Sequence, residues 1–479
     1  MVEVYVRGAA NILPMANGLQ SLRSILQVEE IENDVRLRCL LGHLILYFHV
    51  TFANWSHPVR TSLSSAGEAS LSTVPSFLWD RPPVWLLSPE TSKMLLQGCD
   101  MLSVLGLIWV FFECTGPLLL LAVLFCVKLT YYASDFMLLA NYDHMHLYLV
   151  FVFLVSRRRM FFMRGALGVL YILSGLVKLT PSWLQGEYFL SLPGQFPLLP
   201  QGTAAVVIAS QLVILLEFIG PLCWYSRWKW LRLFSFGSFL LFHLYSGAVV
   251  GFRYPSLMLP TVCLLFLGGL SEPFDKGCSF RPRDYPAWLS LLLGLVGGCI
   301  PWMIPGDARL TGEGRYFGCF MYDAERRVTF EYTLYKGPRR IEIRGERLWQ
   351  LPHNWGVFAW RSACQVKVYE HDRLTMERLV SSSRRNVGSR VLKLDGVVVF
   401  NPGPFDFANA RQIGDPYMYF ACARRILANY HPDRLSLRVY QQLDGREERH
   451  KVVDIEDFEK LNPVYHPLSR NDWILDDTL

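Results

Sequence analysis

The chain has 479 residues, of which 52% are hydrophobic and 18% are charged, and its formal net charge is +6. Ordinary soluble domains carry about 25% charged residues, so this composition argues against a protein that is soluble throughout. The basic residues stand in short clusters between apolar runs, where membrane topology accounts for them better than nucleic-acid binding does. We therefore expect a lipid bilayer as a partner and no nucleic acid.

Apolar segments of membrane-spanning length recur through the first 305 residues. A spanning helix needs roughly 20 apolar residues, and fewer where neighbouring protein shields its ends. Nine segments are expected to be spans: 38–54, 97–113, 116–134, 143–156, 165–180, 204–224, 230–250, 255–271 and 286–304. The fourth is short and begins with polar residues. The sequence thus predicts an α-helical polytopic membrane bundle of eight or nine spans over 36–305.

Two clusters of basic residues indicate the orientation of these spans. Arg157–Arg159 precede the fifth span, and Arg227, Lys229 and Arg232 lie around the start of the seventh. Short loops rich in Lys and Arg stay on the cytosolic side. With residues 1–35 as a cytosolic N-terminal segment, nine spans place both clusters in the cytosol. The same count places residues 306–479, and an Asn54-Trp55-Ser56 glycosylation sequon, on the luminal side.

Residues 306–479 are expected to form a β-rich luminal domain. Short segments rich in β-branched and aromatic residues are separated by Gly, Pro and Asp, which is typical of strands and turns. The expected strands are Val328–Leu334, Arg340–Ile343, Gln365–Tyr369, Val397–Phe400 and Leu435–Tyr440. A helix is expected near Tyr417–Tyr430, and a turn at Asp444-Gly445.

Eleven cysteines are present, without the short spacing that metal ligands show. We predict no metal site. Cys319, Cys364 and Cys422 lie in the soluble part, and a disulfide is compatible with an oxidising lumen, although one sequence leaves the connectivity open.

Four ionisable positions within the expected spans stand out. Charged or titratable groups inside a membrane are costly, and they are functional candidates for that reason. The four are His144, with Asp143 and His146 beside it, Lys178, Glu217 and His243. From the span count, His144 and Lys178 both lie near the luminal face, on neighbouring antiparallel helices.

Each of these residues also has a structural interpretation. The Lys178 ammonium could extend to the membrane interface beside Trp183, and Glu217 could pair with an arginine or cap a helix. His243 could be a core histidine bonded to Ser246 or Tyr245, and Asp143 could be the N-cap of the fourth span. The functional interpretation is that burial favours the neutral form of a lysine. A neutral amine can serve as a general base for a lipid-soluble substrate.

The segment around Lys178 resembles a known family motif. Its matching residues are Arg164-Gly165, Tyr171-x-x-x-Gly175-x-x-Lys178-Leu179 and Trp183-x-x-Gly186. This pattern is similar to the central motif of vitamin K-dependent gamma-carboxylase and its bacterial HTTM-domain relatives.

Three further segments resemble the same family in the same order. They are Asp143-His144 with Leu147-Tyr148, Phe242-His243 with Gly251-Phe252, and Phe400-Asn401-Pro402-Gly403-x-Phe405 leading to Asp415-Pro416-x-Met418-x-x-Phe420-Ala421. The last lies outside the membrane, where hydrophobic composition cannot create it. The similarity covers about 95–460 at low identity.

The resemblance implies an enzyme, a lyase of the endoplasmic reticulum membrane with its C-terminal domain in the lumen. Its cofactor would be reduced vitamin K (the hydroquinone), with O2 and CO2 as co-substrates. Its partners would be secreted or membrane protein clients bearing Glu, which is converted to γ-carboxyglutamate while the quinol becomes an epoxide. Lys178 would be the base and His144 its catalytic assistant. The residues that bind the quinol or the client would be His243, Tyr148, Trp183, Arg164 and Asn401.

A second hypothesis from a different class remains open. The same bundle could hold a lipid or quinone without chemistry, and the luminal domain could engage secretory clients as a maturation factor or chaperone.

Overall fold

A computed structural model describes most of the chain. The described residues are 20–21, 23–63, 89–138, 140–191, 202–249, 253–267, 281–319, 326–350, 359–383, 392–394, 397–400 and 414–476. Most of them are helical up to residue 311, and an antiparallel sheet follows.

Every expected span has a helix in the structure. In chain order these nine helices are α2 (Val35–Leu63), α3 (Pro89–Trp109), α4 (Thr115–Ser134), α5 (Asn141–Val155), α6 (Arg159–Leu176), α9 (Thr203–Trp224), α10 (Lys229–Val249), α11 (Arg253–Phe266) and α12 (Tyr285–Met303). A shorter helix, α1 (Val28–Asn33), precedes them. Two very short helices, α7 (Pro181–Leu184) and α8 (Glu187–Ser191), lie between α6 and α9.

The predicted count of eight or nine spans is not supported by helix length and composition. Within the described residues, five helices are long and apolar enough to cross a membrane: Val35–Ala53, Thr115–Ser134, Arg159–Leu176, Thr203–Trp224 and Pro282–Met303. The segment Tyr254–Phe266 is apolar but shorter. α5 has only 15 residues, and it buries Asp143 and His146 among its neighbours, so its composition is that of an interior helix.

Residues 26–30 of the N-terminal segment pack against the end of the bundle at which α6 begins. Arg159, which the charge pattern treats as a cytosolic surface residue, is 1% exposed. Its guanidinium donates hydrogen bonds to the carbonyls of Leu26 and Gln27 and pairs with Glu30 at 3.2 Å. The N-terminal segment and the basic loop therefore lie at one end of the bundle, and Arg159 also has a structural role there.

The soluble part is built on a six-stranded antiparallel sheet. Its strands are β1 (Arg326–Lys336), β2 (Arg339–Gln350), β3 (Ala359–Glu370), β4 (Arg373–Ser383), β7 (Arg434–Leu443) and β8 (His450–Ile455). Their order in the sheet is β4-β3-β2-β1-β7-β8. A separate hairpin pairs β5 (Leu392–Leu394) with β6 (Val397–Phe400). All five expected strands lie within these elements, whereas β4, β5 and β8 were not predicted.

A helix covers the sheet where one was expected. α14 (Pro416–Tyr430) begins at Asp415, whose side chain accepts a hydrogen bond from the Tyr417 backbone N–H as an N-cap. The Tyr332 hydroxyl on β1 donates to the carbonyl of Tyr419 at 3.0 Å. Two further small helices are α13 (Ala308–Thr311) after the bundle and α15 (Phe458–Leu461) after the sheet. The sheet and α14 thus pack together, and their buried residues are continuous with those of the bundle.

The soluble domain rests on the end of the bundle at which α6 ends. The Ser182 hydroxyl donates to Asp444 Oδ2 at 2.6 Å, and Arg446 pairs with Glu187 at 2.6 Å. After α4, the ring of Phe136 lies 5.0 Å from that of Tyr417, centroid to centroid. Lys178 and the soluble domain are therefore at the same end of the molecule, opposite the N-terminal segment.

Candidate functional site

Lys178 and Glu217 form an ion pair inside the bundle. The Lys178 Nζ lies 2.7 Å from Glu217 Oε2 and 2.8 Å from Oε1, and it donates a further hydrogen bond to the carbonyl of Ser174 at 3.0 Å. The two residues are 2% and 1% exposed. The lysine thus folds back along its own helix, and the expectation that it extends to the membrane interface is wrong. Glu217 pairs with this lysine and not with an arginine.

The glycine of the Gly-x-x-Lys segment permits this pairing. A Cβ added at Gly175 would lie 3.1 Å from the Phe218 ring and 3.2 Å from Glu217 Cβ. The missing side chain therefore lets α9 approach α6 closely enough for the carboxylate to reach the amine. Pro221 lies four residues after Glu217 within α9. Because proline has no N–H, the Glu217 carbonyl lacks its usual helical partner.

A short segment, residues 180–191, covers the pair, and we call it the cap. Thr180 begins it as an N-cap, with Pro181 at the first helical position. The Trp183 ring centroid lies 5.5 Å from the Lys178 Nζ, within the range of a cation–π contact. Trp183 stacks on Tyr188 at 5.1 Å and contacts Phe189 edge-on at 4.7 Å. The cap thus presents an aromatic wall to the lysine.

Gly186, the glycine of the Trp-x-x-Gly motif, lets the cap lie on α9. Its φ is +72°, a left-handed conformation that glycine adopts without strain. A Cβ there would also lie 3.1 Å from Val206 Cγ1 and 3.3 Å from the Val207 backbone nitrogen. Two glycines of the motif, Gly175 and Gly186, therefore have a steric role in assembling the covered ion pair.

His243 is bonded to a tyrosine of the same motif. The Tyr171 hydroxyl and His243 Nε2 are 2.5 Å apart, and neither residue is exposed. Neither Ser246 nor Tyr245, the partners expected for a core histidine, supplies this bond. Within the described part of the chain, His243 Nδ1 and Ser174 Oγ are buried without a hydrogen-bond partner. Tyr171 and Ser174 are three residues apart on one face of α6, and Lys178, just after the helix, reaches back to the Ser174 carbonyl.

A second buried lysine lies between α2, α4 and α5. Lys128 is 0% exposed. Its Nζ lies 2.8 Å from Asp143 Oδ1, 2.9 Å from His146 Nδ1 and 3.0 Å from Thr51 Oγ1. His146 Nε2 lies 3.0 Å from the carbonyl of Leu44. Because that carbonyl can only accept, Nε2 carries the proton and Nδ1 accepts from the lysine.

This arrangement corrects one interpretation of the start of the fourth expected span. Asp143 is not an N-cap, since α5 begins at Asn141 and Asp143 lies within its first turn, paired with Lys128. The buried histidine of the segment is His146, whereas His144 is half-buried. Lys128 itself was not predicted, although a lysine within the span 116–134 is the same signal that singled out Lys178.

The remaining predicted site residues are dispersed. Trp183 lies at the lysine, as described. The Tyr148 ring packs directly against Gly294 of α12, where a Cβ would lie 2.5 Å from the ring atoms. Arg164 donates to the carbonyl of Leu265, with its guanidinium 5.5 Å from the Phe266 ring. Asn401 lies outside the described residues, as do Pro402–Phe405 of the same motif.

Neither a metal site nor a disulfide is found in the described portion of the chain. No group of three His, Cys, Asp or Glu residues there could hold a metal ion. The ten cysteines it contains form no disulfide, and Cys319, Cys364 and Cys422 are buried. The Asn54 sequon falls within α2.

Comparison with models of known protein families, with curated proteins and with solved structures finds no match to this chain. Its similarity to the carboxylase family therefore rests on the motif residues alone.

Proposed function

We propose that this chain is a multi-pass membrane enzyme in which Lys178 acts as a base on a lipid-soluble quinol, as in the gamma-carboxylase family that its motifs resemble. The observation that carries the proposal is the ion pair of Lys178 and Glu217, buried under an aromatic cap next to the soluble domain. In this proposal all nine long helices cross the bilayer, and the shorter or more polar ones are shielded by their neighbours.

The residues around Lys178 fit the ring and hydroxyl of a quinol. Trp183, Tyr188 and Phe189 on the cap and Phe218 on α9 supply flat apolar surfaces. The amine and the carboxylate supply hydrogen-bonding groups at one edge of these surfaces. A binding site with mostly apolar walls and a few polar groups is typical for such ligands.

Glu217 has a specific task in this mechanism. The charged lysine holds its proton and cannot act as a base. Transfer of that proton to Glu217 gives a neutral amine next to a neutral acid, with no net charge moved into the bundle. The amine then accepts the proton of the quinol hydroxyl, and Trp183 stabilises the ammonium that forms.

When bound, the hydroquinone reacts with O2 and supplies the driving force to remove the γ-proton of a peptidyl Glu, to which CO2 adds. The overall reaction consumes one quinol, one O2, one CO2 and one peptidyl Glu, and yields one epoxide, one water and one γ-carboxyglutamate. We place the client peptide on the luminal domain and the protein in the endoplasmic reticulum membrane.

The test uses the full chain in lipid nanodiscs with reduced vitamin K, labelled bicarbonate and a Glu-containing peptide. Epoxide and fixed label are measured for the wild type, Lys178→Ala and Glu217→Gln. Both variants should lose at least about 100-fold in rate, as expected when a general base is removed. The matched control is Lys93→Ala, an exposed lysine on α3. A wild type that forms no epoxide refutes the proposal, and undiminished epoxide in Lys178→Ala removes that residue from the role.

A second candidate function is favoured by the same ion pair. Lys178 is already bonded to Glu217 and Ser174, as in a scaffold that binds lipids or secretory clients without chemistry. In that case clients would be retained by Lys178→Met with Glu217→Leu, because an apolar pair preserves the packing.

A further inference from the structure

The cap is attached to the soluble domain by the turn between β7 and β8. The Ser182 hydroxyl, 0% exposed, donates to Asp444 Oδ2 at 2.6 Å, and Asp444 is 6% exposed. Arg446 pairs with Glu187 at 2.6 Å, but both side chains are partly exposed, so this second contact is weak. The buried hydrogen bond is therefore the principal polar link between the cap and the turn.

The turn has a backbone shape that brings these groups to the cap. Asp444 and Gly445 have φ of 51° and 70°, the left-handed conformation of tight hairpin turns. A Cβ added at Gly445 would lie 3.1 Å from Ser191 Cβ, at the other end of the cap. The three residues 444–446 thus contact both short helices of the cap.

On its inner side the same segment covers the ion pair. Ser182 is adjacent to Trp183, whose ring lies over the Lys178 Nζ. The Leu184 carbonyl accepts a hydrogen bond from Gln211 of α9 at 3.2 Å, an exposed contact. The cap is therefore held between α9 on one side and the β7–β8 turn on the other.

We propose that the β7–β8 turn is a latch, through which the soluble domain keeps the cap closed over Lys178 and controls the access of water and polar reagents to it. Asp444 and Ser182 are positioning residues in this device, since neither contacts the ion pair. The latch does not depend on the chemistry assigned to Lys178. Its consequence for catalysis, protection of the neutral amine from water until a client occupies the soluble domain, rests on the proposed function.

The test measures the reactivity of individual lysines in the full chain. The protein in nanodiscs is treated with a small amine-reactive ester, and the labelling rate at each lysine is followed by peptide mass spectrometry. Lys178 and Lys128 are both buried, but only Lys178 lies under the cap. Lys128 therefore reports any general loosening of the bundle, and the exposed Lys93 reports the activity of the reagent.

Removing the latch should expose Lys178 selectively. Asp444→Ala and Ser182→Ala should each raise its labelling rate roughly two- to tenfold, since one net hydrogen bond is lost, and Lys128 should stay unlabelled. The double variant should match either single variant, because both remove the same bond. Asp444→Asn should keep the wild-type rate, because its amide oxygen still accepts from Ser182.

Two outcomes would overturn the latch. One is an unchanged labelling rate of Lys178 in both alanine variants, and the other is a parallel rise at Lys128. Because labelling needs no turnover, these results stand even when the wild type forms no epoxide. If the wild type is active, Asp444→Ala should also lower kcat more than it raises KM for the quinol, and Asp444→Asn should restore kcat.

Discussion

Two lysines sit in the interior of this bundle, and each is neutralised by one carboxylate from a different helix. Lys178 on the segment after α6 pairs with Glu217 of α9, and Lys128 of α4 pairs with Asp143 of α5. Moving both charges of a pair out of water is costly, and only close geometry with additional hydrogen bonds offsets that cost. Both pairs have such hydrogen bonds. Lys178 donates to the Ser174 carbonyl, and Lys128 donates to Thr51 and His146.

The first prediction concerns the Lys178–Glu217 pair. Glu217→Leu should lower the free energy of unfolding by about 3–5 kcal/mol, because the lysine is left buried without its counter-charge. The double variant Lys178→Met with Glu217→Leu should recover most of this loss. Thermal unfolding in detergent measures both. If the single and the double variant lose the same free energy of unfolding, the unpaired charge of Lys178 is not the cause of the loss.

The second prediction separates two neighbouring histidines. His146 is fully buried and bonded to Lys128 and the Leu44 carbonyl, whereas His144 is half-buried. His146→Ala should destabilise the protein by about 1–3 kcal/mol, since buried polar groups lose their partner. His144→Ala should cost less. Unfolding midpoints compare the two, and the reverse order would contradict this assignment.

At the scale of helices, glycines decide which pairs can approach closely. Gly175 and Gly168 both lie on the α6 surface that faces α9. A Cβ added at Gly175 would lie 3.1 Å from the Phe218 ring, whereas a Cβ added at Gly168 would lie 3.7 Å from its nearest neighbour, Pro221 Cβ. The first distance is tighter than normal packing, and the second is an ordinary contact. The two positions therefore form a matched pair.

The third prediction follows from that difference. Gly168→Ala should be neutral or stabilising, because alanine favours the helix by up to about 1 kcal/mol. Gly175→Ala should be less stable than Gly168→Ala by about 1–3 kcal/mol, since overpacking forces α9 away. It should also raise the labelling rate of Lys178. A Gly175→Ala protein as stable as the Gly168→Ala protein would refute the close-approach argument.

The sequence predicted the elements better than their environment. Hydrophobic segments located all nine long helices, and alternating patterns located five of the strands that the structure contains. β4 was not predicted, because its sequence, beginning Arg373-Leu-Thr-Met-Glu-Arg, is an exposed edge strand with little apolar character. Within the described residues, fewer helices are long and apolar enough to cross a membrane than the eight or nine spans predicted. One reason is that short helices such as α5 are buried among their neighbours.

Side-chain partners were the least predictable feature. The sequence singled out Lys178, Glu217, His243 and Asp143, and it placed Trp183 beside Lys178. It did not give the ion pair of Lys178 with Glu217, the bond of His243 to Tyr171 or the pairing of Asp143 with Lys128. Glu217 lies 39 positions after Lys178 and Asp143 lies 15 after Lys128. Such pairs depend on which helix faces meet, and a single sequence does not contain that information. Lys128 could have been found by applying the rule for ionisable groups to every span.

At the scale of the whole molecule, Glu313 connects the segment that follows the bundle to residues 470–471 near the end of the chain. This residue is 2% exposed, and its Oε1 accepts hydrogen bonds from the Asn471 backbone N–H at 2.6 Å and Nδ2 at 2.9 Å. Arg470 lies 3.7 Å from the other oxygen. Burial raises the pKa of this carboxyl above its ordinary value of 4.5, although Asn471 and Arg470 act in the opposite direction.

The fourth prediction is the pH dependence that follows. A raised folded-state pKa means that the folded protein binds this proton more tightly than the unfolded chain does. The resulting stabilisation is fully present below the unfolded pKa and is lost as pH rises through the folded pKa. The unfolding midpoint of the wild type minus that of Glu313→Gln should therefore decrease from about pH 4 to about pH 7. A difference that grows over this interval would show that the carboxylate is favoured in the folded state.

The sheet order has a consequence for how the protein is made. β1 pairs with β2, which follows it directly, and on its other edge with β7, which begins at Arg434. A ribosome that releases the chain N-terminus first completes the helices long before it delivers β7, β8 and the turn between them. Until then one edge of β1 lacks its partner strand β7, and Ser182 lacks its hydrogen bond to Asp444. The newly made bundle would thus pass through a stage with an accessible Lys178, and a chain terminated before residue 434 would remain in it.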